Sequence, residues 1–316
     1  MVGSLFEEAG AFPRELLAER LRSLSERNIY LGGSSWKYEG WLGQIYDRER
    51  YATRGRFSKK RFEAECLREY SEVFPAVCGD FAFYQFPTPE FWSRLFAPVP
   101  EHFRFGFKVP EQITCKIFPT HARYGAMAGR ENEAFLDAHV LKEMFLRPLG
   151  PHREKTGVLI FEFGSFSKRA FGSAAEFAER LDPFLGQLPP EFRYAVEIRN
   201  ADFLQPEYFE CLRAHGVAHV YNAWARMPEL QRQMAIAGSA TADFQVCRAL
   251  LRYGRVYEKA VEAFTPYNEV KDPNPEARDA MRALIDRAGE KKQHLFLFVN
   301  NRLEGNAPST ILSLVE

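Results

Sequence analysis

Residues 194–200 read Tyr-Ala-Val-Glu-Ile-Arg-Asn. Side chains of a β-strand alternate between its two faces, so Val196 and Ile198 share one face while Ala195, Glu197 and Arg199 share the other. The apolar face must meet helices, which turns Glu197 and Arg199 towards the inside of a closed sheet near the strand's C-terminal end. Seven further short apolar runs lie along the chain, at 29–35, 77–84, 103–109, 157–163, 217–221, 244–248 and 295–300. Between them the spacing predicts helices over 62–73, 89–96, 133–145, 174–185, 206–215, 227–236 and 275–287. Pro89, Pro206 and Pro275 open three of these, as suits a first helical turn. Alternating strands and helices require a parallel sheet with crossovers. Eight such units predict an α/β fold, a single (β/α)8 TIM barrel over 29–316. Leu16, Leu17, Leu21 and Leu24 at helical spacing predict an N-terminal helical extension within 1–28.

The chain has 316 residues, 42 Lys and Arg against 42 Asp and Glu, and 46% apolar residues. A balanced charge removes the strongest argument for a duplex-DNA or anionic-membrane binder, which usually carries a basic surplus. Apolar runs such as 157–163 fall far short of the roughly 18 residues that span a bilayer. The start MVGSLFEEAG has neither the basic nor the apolar region of a secretory signal, and a cytoplasmic protein with no membrane contact is expected. No GxGxxG follows the first strand and no GxxxxGK(S/T) occurs, so dinucleotide and P-loop readings lose their usual support. The five cysteines, Cys66, Cys78, Cys115, Cys211 and Cys247, are odd in number and contain no CxxC, which speaks against a zinc ribbon or a disulfide framework.

Charges collect where a barrel carries function. Lys108 faces inward on the third strand by the same alternation, Glu162 is the one charge in 158–163, and Arg248 ends 244–248. Asp80 and Tyr84 come from the second run, Asn300 and Asn301 close the eighth, and Glu304 follows in the loop. We therefore expect a polar ring at the C-terminal mouth. Glu197, Glu162 and Asp80 are its acid/base candidates, and Lys108, Arg199, Arg248, Asn300, Asn301, Glu304, Trp36 and Tyr84 its binding residues. A ring of mutually satisfied salt bridges is the structural alternative, since buried charges must be paired. Tyr38, Trp41, Phe86 and Trp224 also follow strands on the mouth side, where aromatic rings can stack on sugars or bases. Two insertions, 48–60 and 253–274, fall after the first and seventh strands, on that same side.

Four stretches in order carry a resemblance: GGSSWKYEGW (32–41) with Tyr46, FRFGFKVPEQIT (103–114), AVEIRN (195–200) and FVNNRLEGNAP (298–308). Together they resemble the motifs of the domain-of-unknown-function 72 family, the YecE-like TIM barrels, from about residue 29 to the C-terminus. The resemblance implies a barrel related in shape to the xylose isomerase and endonuclease IV types, and it implies no reaction. The chain departs from the family pattern in the second strand, where 78–84 carries its carboxylate at Asp80. Histidines common in the family appear here as Cys115, Asn200, Leu250 and Asn306, so a three-histidine metal site is not expected.

We expect a barrel enzyme, a hydrolase or isomerase in class, using carboxylates on a small polyhydroxylated or phosphorylated ligand at the C-terminal mouth. No cofactor is expected, and a hard cation on Asp80, Glu162 and Glu197 stays open. One rival is a nucleic-acid-binding or processing barrel using the basic loop 48–61, which carries seven Lys and Arg. The other is a non-catalytic scaffold.

Overall fold

A computed structural model of the chain describes residues 12–316. Its strands are β1 (Ile29–Gly33), β2 (Ala76–Gly79), β3 (Arg104–Lys108), β4 (Thr156–Glu162), β5 (Tyr194–Glu197), β6 (Ala218–Ala223), β7 (Phe244–Ala249) and β8 (His294–Val299). All eight are parallel, follow one another around a closed barrel, and meet where Ile29 pairs with Leu295 and Gly33 with Val299. The two faces divide as the alternation requires. Phe105, Phe107, Leu159, Phe161, Val196 and Ile198 pack outward among the helices. Tyr30, Val158, Ile160, Val246, Phe296 and Phe298 fill the lumen. Two glycines make room there, because a Cβ on Gly106 or Gly157 would fall 2.7 Å from the Phe298 ring or 2.6 Å from the Phe296 ring. Small residues facing large ones make the lumen a packed core.

The helix Arg14–Ser25 lies outside the barrel with Leu17, Ala18 and Leu21 buried. It touches β1 and the helices Lys59–Val73 and Ala307–Val315. The first eleven residues of the expected extension lie outside the described residues.

Three elements differ from the sequence reading. β2 stops at Gly79, where the Phe81 ring folds back so closely that a Cβ on Gly79 would meet it at 1.8 Å. Asp80 and Tyr84 therefore stand on the following loop. The helix expected over 133–145 begins at Ala138, because Leu136 adopts a positive φ and the Asp137 carboxylate caps Val140 N–H. It continues through a wide turn, Lys142–Leu146, to Leu149. The helix expected over 227–236 is reduced to Leu230–Ala235.

Both insertions are folded. Within 48–60, Ala52–Thr53 pairs antiparallel with Arg56–Phe57. Arg54 and Gly55, both at positive φ, turn the chain between them, the geometry that suits a tight hairpin. The second insertion contains the helix Tyr257–Phe264, and the segment after it is tied to two neighbouring loops. Gln44 Nε2 donates to Asn268 O at 2.8 Å, Asn306 Nδ2 to Tyr267 O at 2.7 Å, and Lys271 N to Glu304 O at 2.8 Å. Gly40 touches this segment backbone to backbone, since a Cβ there would lie 1.9 Å from Pro266 O.

Candidate functional site

The C-terminal ends of β3, β4, β5 and β7 bring their inward charges together. Glu197, fully buried, has its two oxygens on Arg199 Nη2 at 2.6 Å and on the Arg248 guanidinium. Glu162 contacts Lys108 at 3.1 Å, Arg199 at 3.2 Å and Arg248 through a short ion pair. Asp80 reaches Lys108 at 3.3 Å from the β2 loop, with its side chain 54% exposed. The Lys108 ammonium also lies 3.7 Å from the centre of the Phe83 ring.

Burial alone would raise the Glu162 carboxyl, but Lys108, Arg199 and Arg248 outweigh it and hold the acid well below its usual range. Burial works equally against the Lys108 ammonium, yet Glu162 and Asp80 raise it above normal. Arg248 is treated the same way by Glu197 and Glu162. Near neutral pH these three groups are thus fixed as ions, and Glu162 has no proton to give as a general acid. The cluster is not fully closed, because among the described residues Arg199 Nη1, Arg248 Nε and Glu197 Oε1 have no hydrogen-bond partner.

Above the cluster opens a cavity of about 620 Å³ bordered by Trp36, Asp80, Tyr84, Lys108, Glu162, Arg199, Arg248 and Asn300, with Ser34, Tyr257 and Arg302. An adjoining cavity of about 630 Å³ shares Glu162, Arg199, Trp224 and Tyr257 and adds Ser165, Arg226 and Arg255. Glu197 does not line either, since it sits beneath the two arginines, and the structure moves it from acid/base candidate to a residue that positions them. Asn300 lines the first cavity and donates to Ser34 Oγ.

Two expected ring members belong elsewhere. Asn301 Oδ1 accepts from Ala307 N at 2.7 Å and from Trp41 Nε1 at 3.3 Å, turned into the core and away from the mouth. Trp41 is buried with it. Glu304 is fully buried among Arg278, Thr310 and Asn274 N–H, because β8 has ended and the chain at 301–304 turns outward before the Ala307–Val315 helix. Reasoning from strand faces missed Ser34, Ser165, Arg226, Arg255, Tyr257 and Arg302. Their place after strand ends was the one available signal.

Among the described residues there is no group of three or more His, Cys, Asp or Glu able to hold a metal. The inward oxygens of Glu162 and Glu197 already face Lys108, Arg199 and Arg248. His219 points among Tyr208, Phe209 and Tyr221 on the helix side. The lumen thiol of Cys78 is pushed up to about 12 by burial, so it is no nucleophile near neutrality. No helix among the described residues is long and apolar enough to cross a membrane.

A family model described as "Protein of unknown function DUF72" matches residues 30–316. The chain belongs to the DUF72 family. It is 25% identical over 176 residues to the UPF0759 protein YecE of Escherichia coli K12, a match covering 55% of this chain and 50% of that protein. The chain therefore spans about half the length of the curated relatives it matches. A DUF72 family protein from Thermotoga maritima has the same fold, with a TM-score of 0.59 at 20% identity over 90% of this chain and 97% of the other. Another from Enterococcus faecalis aligns with a TM-score of 0.57 at 17% identity, over 90% and 95%. At such identities these DUF72 structures speak for the fold alone.

Proposed function

We propose that the barrel mouth binds and transforms a small anionic, hydroxyl-rich molecule of the sugar-phosphate class. One observation carries this reading. In a chain whose charges cancel, the two adjoining cavities are lined by seven cationic side chains, Lys37, Lys108, Arg199, Arg226, Arg248, Arg255 and Arg302, against two carboxylates, Asp80 and Glu162. Such a surplus in a concave, partly dry site favours an anion. Ser34, Asn300 and the carboxylates offer partners to hydroxyls, and Trp36 and Trp224 offer flat walls.

Roles follow from access. Asp80 is the exposed carboxylate and serves as the base, while Lys108 beside it remains an ammonium and stabilises negative charge that develops on the ligand. Glu162, held ionised, anchors hydroxyls and keeps the cations in place. Proton transfer of this kind suits an isomerase or a hydrolase.

The basic hairpin supports a nucleic-acid ligand less well. Arg50 is turned onto Glu72 at 2.9 Å, Lys59 onto Glu39 at 3.2 Å and Arg61 onto Glu65 at 3.1 Å. Arg48 lies over Phe57. These pairings spend much of the charge within the hairpin and along the Lys59–Val73 helix.

The test is a thermal-shift and turnover screen of sugar phosphates against the same sugars without phosphate. Stabilisation by phosphorylated members, with Asp80→Asn keeping binding and losing turnover, is expected. Equal response to both sets, or turnover unchanged in Asp80→Asn, would overturn the reading.

A further inference from the structure

We infer that the ligand straddles the two cavities, with its phosphoryl group in the second, on Arg226, Arg255 and the N–H groups of Arg199, and its hydroxyl-bearing body over Asp80 and Lys108 in the first. The inference rests on the anionic-ligand reading above and adds an orientation to it. Arg199 is the partition. Its guanidinium lies 4.1 Å from the centre of the Trp224 ring, its Nη2 holds Glu162 and Glu197, and its Nη1 is left without a partner among the described residues although the side chain is only 7% exposed. A buried charged donor with no acceptor is unfavourable unless something else supplies one, and both cavities border this residue.

The placement of the carboxylates then favours one side for the anion. On the floor of the first cavity, Lys108 and Arg248 are already neutralised by Asp80, Glu162 and Glu197, while Lys37 and Arg302 at its rim lie over the Trp36 and Tyr257 rings. An anion placed there would also face the exposed Asp80 carboxylate. In the second cavity the one lining carboxylate is Glu162, which three cations already surround. Arg226 is exposed with no carboxylate within 4 Å among the described residues, and Arg255 shares Asp272 with Arg252, so two guanidiniums divide one negative charge. Ser165 adds a hydroxyl at the same wall. A polyol with a terminal phosphate fits this division, because its charged end meets the uncompensated cations while its carbon-bound hydroxyls meet the exposed base.

Inorganic phosphate is the probe, titrated by calorimetry at constant ionic strength against the full chain, Arg226→Ala and Arg302→Ala. Arg302 lines the first cavity alone, so the two variants report on different sides. Arg226→Ala is expected to weaken phosphate by about tenfold, the effect of losing one charge-assisted contact, and Arg302→Ala by less than about twofold. Weakening by Arg302→Ala with Arg226→Ala unchanged would put the anion in the first cavity and overturn this inference while leaving the proposed function standing. No phosphate binding to the unaltered protein, together with no response to sugar phosphates, would remove both.

Discussion

Two buried carboxylate networks at the C-terminal end of the barrel look alike in composition and differ in closure. Around Glu304, Arg278 donates through Nε and Nη2, Thr310 donates its hydroxyl at 2.6 Å, and Asn274 N–H completes the set. No cavity described above borders it. Around Glu162 and Glu197, three cations are held in place while Arg199 Nη1 and Arg248 Nε have no partner among the described residues and a cavity borders both arginines. A closed network specifies structure, whereas an open one keeps hydrogen-bonding capacity for something that comes and goes. Charge content alone does not separate them.

The sharpest way to break this comparison is to remove one carboxylate from each. Glu304→Ala strands Arg278, Thr310 and a backbone N–H, and should cost about 3–5 kcal/mol in denaturant unfolding while the folded fraction binds phosphate as before. Glu197→Gln keeps shape and some hydrogen bonding, and should cost about 2–3 kcal/mol while also weakening phosphate, because Arg199 loses the partner that aims it. If the two variants lose stability alike and Glu197→Gln binds phosphate normally, the mouth is a second structural network and nothing more.

Acid sharpens the same contrast. Burial pushes the His219 imidazole from 6.5 down to about 3. The unfolded chain therefore binds the extra proton first, and stability falls as pH drops from about 6.5 towards 3. Glu162 acts with the opposite charge. Its depressed carboxyl contributes stability that is present above the ordinary 4.5 and lost only as pH falls below it through the folded value. Urea midpoints between about pH 7 and pH 5 should thus report His219 together with His294, lowered by burial to about 4, and His102 and His152, also lowered, and His219→Gln should flatten that limb in part. A slope wholly unchanged in His219→Gln would mean that His219 does not carry its share of the loss.

The smallest effect is expected from Arg54→Ala, Arg56→Ala and Lys59→Ala combined. Surface changes of this kind move stability by about 0.5 kcal/mol or less, and phosphate binding should not change. Should the protein retard an oligonucleotide, a salt slope that flattens in the triple variant would restore the hairpin as a nucleic-acid contact.

The contrast also explains which parts of the site were legible beforehand. Period-two alternation converts residue identity into direction, so the inward Lys108, Glu197 and Arg199 followed from their strands, while Glu162 and Arg248 followed from their place at strand C-termini. Access did not follow. Alternation places Glu197 and Glu162 on one face but cannot tell that the first lies under two arginines while the second borders open space. Beyond a strand end no period constrains the chain, which is why Glu304 and Asn301 were grouped with a ring they do not join. The same freedom hid Arg226 and Arg255. Asp80 kept its place near the cluster by another route, since Phe81 ends β2 one residue before it.

The contact at Gly40 has an evolutionary consequence. The excursions after β1 and β7 meet there without side chains between them, across the mouth end of β8. Neither can lengthen, shorten or reroute on its own without breaking the junction. Among relatives, then, any chain carrying a larger residue at the position of Gly40 should also show a changed length or path at 265–268. The stretch around Gly40 and the 253–274 insertion should drift as one unit, at a pace set apart from the barrel that holds them.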